Sequence, residues 1–155
     1  TFEETKDQFS ALVNALGSTF PKTVVSRFGL RYVNQIDESN ENPTRWDEYI
    51  HADLITARNF FKDGDVLTRF VSIVELKYGQ VGVRLQYGMP NIDFPAPIKR
   101  PLFVIDIDAS VAEAHDLAQA VNYMDEAHTS IQSLFERTIT SSLREKMDAK
   151  QPLQQ

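Results

Sequence analysis

Two arginines flank a glycine in Arg27-Phe28-Gly29-Leu30-Arg31, and a third, Arg84, follows Gly82 and precedes Gly88. Alternate positions of a strand share a face. Arg27, Arg31 and Arg84 therefore fall with these glycines on the side away from the apolar residues. A guanidinium fork grips a carboxylate or phosphate through two N–H groups, and a glycine lets a ligand or backbone come close. One reading is an anion or nucleotide site on an open sheet face. The other is a solvated outer face with cross-strand ion pairs to Glu75, Asp106 and Asp108, or a face on which a further part of the protein docks. The balance falls on the second.

Asp106-Ile107-Asp108 places two carboxylates on one side of a strand, a pair able to ligate Mg²⁺ through oxygen. Hydrolysis or phosphoryl transfer needs a third acidic ligand, a base and a phosphate cradle as well. The sequence has no glycine-rich phosphate loop and no His-Glu metal signature. Asp108 also precedes a helical pattern, where a carboxylate complements the helix N-terminus. His128 lies inside an apolar helical stripe. It reads as a core histidine bonded to a strand residue such as Asn34 or Tyr32, with a general base or pH-sensitive contact as the sharper alternative. His51 and His115 join no cluster, and no serine stands in a nucleophile elbow. Trp46, Tyr49, Phe60 and Phe61 form either a partner surface or a satellite core.

These residues need elements to position them. Phe2, Phe9, Leu12, Val13, Leu16 and Phe20 keep helical spacing, with Gly17 and Pro21 as stop signals. From Val24 to Ile36 the period is two. Val24, Phe28, Leu30, Tyr32 and Ile36 face one way; Arg27, Gly29, Arg31 and Gln35 face the other. Residues 37–43 form an acidic loop. Trp46, Tyr49 and Ile50 predict one or two helical turns, 54–61 a short strand or irregular chain, and 62–65 a turn. Val66 to Tyr78 and Val81 to Tyr87 predict a hairpin, with Gly79 first in a two-residue type II′ loop. Val66, Phe70, Val74 and Leu76 share one side of its first strand. Met89 to Pro101 holds four prolines and reads as a loop.

Phe103, Ile105 and Ile107 alternate with Val104, Asp106 and Asp108 in a further strand. Ser110 and Glu113 have capping-box spacing, which starts a helix at Val111 running as one or two pieces to Met147. Leu117, Val121, Met124, His128, Ile131, Phe135, Thr138 and Ser142 mark its stripe. The pattern predicts an α+β fold, a mostly antiparallel sheet of about four strands packed against an N-terminal helix and a long C-terminal helix. One domain over 1–147 and a disordered tail over 148–155 complete the expectation.

The chain has 155 residues, enough for a core of its own. A net charge of -6 argues against non-specific binding to nucleic acid or anionic membrane. No segment is apolar for long enough to span a bilayer. The absence of cysteine excludes disulfides and thiolate metal sites and fits a reducing cytoplasm. The chain opens on Thr1, which fits processing or truncation.

Three blocks resemble a sporadically distributed prokaryotic family of uncharacterised proteins. They are Ser26-Arg27-Phe28-Gly29-Leu30-Arg31-Tyr32-Val33-Asn34-Gln35-Ile36, then Phe103-Val104-Ile105-Asp106-Ile107-Asp108, then the stretch from Ala127-His128 through Leu134-Phe135-Glu136 to Leu143-Arg144-Glu145 and Met147. The resemblance covers nearly the whole chain. It implies a further N-terminal α/β portion ahead of this segment, and it carries no agreed activity. The function expected is a non-enzymatic binding or assembly domain of a cytoplasmic prokaryotic protein. Its polar sheet face would engage a partner, a second copy or that N-terminal portion, with Arg27, Arg31, Arg84, Asp106, Asp108 and His128 as candidate contacts and no cofactor. The alternatives are a metal- or nucleotide-dependent enzyme using the arginines and aspartates, and a small apolar ligand held between sheet and long helix.

Overall fold

The computed structural model describes residues 1–37, 42–62, 65–112 and 115–150. Helix α1 spans Phe2–Thr19 and is followed by β1 (Val24–Val25) and β2 (Phe28–Ile36). Helix α2 (Ala52–Asn59) precedes β3 (Phe70–Tyr78), β4 (Val81–Met89), β5 (Phe103–Val111) and β6 (His115–Asp116). Helices α3 (Leu117–Thr138) and α4 (Ser141–Lys150) close the described chain. Four strands form one antiparallel sheet in the order β2-β5-β4-β3. The expected α+β architecture, with an N-terminal helix and a long C-terminal helix, is what the chain adopts.

The sheet follows from the alternation. On β5, Phe103, Ile105, Ile107 and Ala109 are wholly buried. On β4, Val81, Val83, Leu85, Tyr87 and Met89 are buried while Arg84 is exposed. On β2, Phe28 and Ile36 are buried and Gly29, Arg31 and Gln35 are exposed, as the pattern requires. The β3–β4 turn is type II′: Gly79 has φ +60°, and among the described residues Asn91 is the one non-glycine with positive φ, so Gln80 keeps the negative φ this turn needs.

Several boundaries differ from expectation. Val24 does not continue β2. It pairs with Asp116, and Val25 with His115, in a separate two-stranded sheet, leaving Val24 exposed. Strand β3 starts at Phe70, so Val66 lies outside it. Residues 52–59 are helical rather than extended: His51 caps them by accepting from the Asp53 N–H, and Ile55 alone is buried, too little for a visible stripe. Ser110 is not a helix cap. Burial of Ala109 and Val111 carries β5 through it, and β6 intervenes before α3 begins at Leu117. Glu113, the other half of the expected capping box, lies outside the described residues. Asp148 to Lys150 belong to α4, not to a disordered tail; 151–155 lie outside the described residues, as do 38–41 of the acidic loop and 63–64 of the expected turn.

The chain resolves into two compact units, each discontinuous in sequence. The first holds 1–32, 74–85 and 107–132; the second holds 33–73, 86–106 and the chain from 133 on. In the first, α3 buries Ala120, Met124, Ala127 and Ile131, and Lys6 of α1 pairs with Asp125 at 2.8 Å. In the second, Trp46, Tyr49, Ile50, Phe103, Ile105 and Ile139 are buried. Ile139 forms a lone antiparallel bridge with Ile50, and the break between α3 and α4 falls at this pairing.

Candidate functional site

Three candidate side chains come together in the first unit. Arg27, Arg84 and Asp108 line one pocket of about 330 Å³, with Glu75, Gly82 and Ser110. Arg27 Nη2 lies 3.7 Å from Asp108 Oδ2, a loose ion pair on the outer face. Arg27 stands one residue ahead of β2, so the pair joins the entry to β2 with β5. Arg84 projects from β4 into the same pocket and, among the described residues, has no ion-pair partner. Two cations and two carboxylates share the lining, which gives the surface both signs of charge. Arg31 is exposed on the outer side of β2 and holds contacts of its own.

Asp106 sits differently. It belongs to the second unit and is only 9% exposed, so it does not lie open on a solvated face beside Asp108. Among the described residues no three acidic or histidine side chains gather into a metal-ligating group.

The glycines on this face play separate parts. A Cβ on Gly29 would come within 3.3 Å of Arg27 Nη1, so the guanidinium lies against bare backbone there. Gly88 has φ +136°, and a Cβ on it would stand 2.1 Å from the Phe70 carbonyl oxygen. Its role is close approach of β3 to β4, not access for a ligand. A Cβ on Gly82 would make an ordinary contact with Ser110 O at 3.7 Å.

His128 is held in a ring cluster. Its imidazole stacks on Phe2 with centroids 3.6 Å apart and planes 8° off parallel. Nδ1 stands 3.1 Å from the Tyr32 hydroxyl, one of the two strand partners expected for it. Burial raises the Tyr32 hydroxyl above its ordinary value near 10. The arrangement is that of a half-buried histidine satisfied by a strand residue.

The aromatic set in the insertion divides. Trp46 packs on Phe103 and, with Tyr49, is core, whereas Phe60 and Phe61 are exposed. Reasoning from sequence missed two features. A 530 Å³ pocket in the second unit brings together Arg45, Arg58 and Lys62, with Arg58 donating to Thr44 Oγ1. Their spacing follows no single element's period, so nothing local marks them. The other is a groove of about 460 Å³ beside α1 in the first unit, whose walls include Leu12 and Leu16. Both lie on the stripe whose helical spacing the sequence shows; the signal was a helix more apolar than its neighbours can cover.

The chain matches no family model, no curated protein and no solved structure.

Proposed function

We propose that the chain is a non-enzymatic binding and assembly domain of a cytoplasmic prokaryotic protein, and that it engages a second copy of itself at the polar side of its first unit. The observation that carries this reading is strand β3. It ends the sheet order and so has one sheet neighbour among the described residues. Val74 and Tyr78 are exposed in its second half, with Glu75 and Lys77 between them. A free strand edge offers unmet N–H and C=O groups to another strand.

Antiparallel pairing of β3 with its copy about Leu76 sets Glu75 opposite the copy's Lys77 and Val74 opposite its Tyr78. The pattern is self-complementary, as a two-fold interface requires. Glu75 also lines the pocket with Arg84 and Arg27, so the mixed charges of the outer face flank the seam. Sedimentation velocity across a concentration series tests the reading. It expects a dimer that Val74→Lys abolishes without loss of fold; a monomer throughout overturns it.

Arg84, without an ion-pair partner among the described residues, favours a second reading, an anion or nucleotide site on Arg27 and Arg84. Glu75 and Asp108 in the same lining balance the two arginines, so a polyphosphate with several charges finds no surplus of cations there. Mg²⁺ and a nucleoside triphosphate should therefore leave the melting temperature unchanged. A shift that disappears in Arg84→Ala would favour the enzyme reading.

A further inference from the structure

Helix α1 presents more apolar surface than its unit covers. Phe2, Phe9, Leu12, Val13 and Leu16 share its stripe, yet Val13 alone is buried and Leu12 is 65% exposed. The groove of about 460 Å³ beside it runs between α1, the β1–β2 segment and the start of α3. Its size is that of a small-molecule site. Phe9, Leu12, Leu16, Phe28 and Met124 line it, and among the described residues its lining holds a single charged side chain, Arg27.

Arg27 lines both this groove and the pocket of the outer face. Gly29 gives its guanidinium a flat resting place, with Nη1 3.3 Å from where a Cβ would stand. Asp108 holds Nη2 loosely at 3.7 Å. A guanidinium has five N–H donors, and one long ion pair leaves a fork free to take a carboxylate. An apolar trough with one cation matches a molecule with an apolar chain and one anionic head.

We propose that this groove binds a long-chain monocarboxylate, its alkyl chain along Leu12, Leu16, Phe28 and Met124 and its carboxylate on Arg27. A neutral hydrocarbon leaves the guanidinium unused, and a nucleotide needs polar partners that this lining lacks. The inference goes beyond assembly through β3 and rests on α1 and Arg27, not on the strand edge, so either can fail alone.

Dodecanoate is the probe, with native mass spectrometry of the full chain and fluorescence displacement as readouts. The expected result is one dodecanoate per chain, with dodecanol bound about tenfold more weakly, a difference on the scale of one charge-assisted contact. Arg27→Gln should remove that preference and leave dodecanol binding intact. Leu16→Asp should weaken both ligands. Leu16 is partly exposed, so the fold should survive, which far-ultraviolet circular dichroism verifies. No dodecanoate binding, or binding indifferent to both substitutions, overturns the proposal. So does a dimer that Leu16→Asp dissociates while no carboxylate binds, because the groove is then closed by a second copy.

Discussion

The Tyr32 hydroxyl meets His128 Nδ1 at 3.1 Å, and the imidazole lies flat on Phe2. Removing the hydroxyl in Tyr32→Phe should cost about 1 kcal/mol, the net worth of one hydrogen bond. His128→Ala also loses the stacking and should cost about 2 kcal/mol, both read from urea midpoints. The pH dependence has a definite sign. Burial raises the Tyr32 hydroxyl above its ordinary value near 10, so the unfolded chain loses this proton first as pH rises. The folded state then holds more protons, and stability falls from about pH 10 upward until the folded hydroxyl ionises too. Tyr32→Phe should show a shallower decline than wild type from about pH 10 upward. The histidine's partner was legible only to the pair Asn34 and Tyr32, which period two sets on the same face of β2; the structure selects Tyr32. The role of Gly88 was not, since its clash with Phe70 O depends on strand twist, not on local sequence. Gly88→Ala should cost about 3 kcal/mol or more, or prevent folding, by the same measurement.

At the scale of elements, the clearest device is the joint between α3 and α4. Backbone bonds run from the His51 N–H to Thr138 O and from the Thr140 N–H to Tyr49 O, bracketing the Ile50–Ile139 bridge. Thr140 donates its hydroxyl to Glu48 O, and its Oγ1 accepts from the Leu143 N–H in the first turn of α4. Thr140→Val keeps the shape and loses both bonds, so the urea midpoint should report a loss of about 1–2 kcal/mol. Sequence periodicity showed the helices but not the joint, because Ile139 fits a helical stripe as well as a bridge. The stripe itself was read about one position off. Ala120 and Ala127 join Met124 and Ile131 at its centre, whereas Leu117, Val121, His128 and Phe135 flank it. Small residues carry little weight in a hydrophobic pattern, yet a helix packs closest where its side chains are smallest. Strand β6 escaped notice for a different reason. Two residues, His115 and Asp116, pair with Val24 and Val25 about ninety positions away, and so long-range a contact leaves no local period.

For the molecule as a whole, the fold was legible because β4 and β5 each have one wholly apolar, buried side, and β2 and β3 keep most of one. The candidate site was legible only in part. Arg27, Arg84 and Asp108 do share a pocket, since strand parity assigns them to one face. Parity cannot say how deep a position lies, so it could not distinguish Asp106, buried in the second unit, from Asp108. Nor does parity show which strand ends the sheet. Among the described residues no helix is long and apolar enough to cross a membrane. A net charge of -6 opposes self-association through general repulsion, so any pairing of copies must rest on local complementarity. Strand β3 offers it in Glu75 and Lys77, which antiparallel self-pairing about Leu76 brings face to face.

A charge-swap series read by sedimentation velocity tests this claim most directly. Glu75→Lys sets like charges across the seam, and Lys77→Glu does the same with the opposite sign. Each single change should weaken the dimer at least about fivefold, a scale set by cross-strand pairs. The double variant Glu75→Lys, Lys77→Glu restores opposite charges at both positions and should dimerise like wild type. A wild-type chain that stays monomeric, or a double variant no better than the singles, would contradict assembly through this edge.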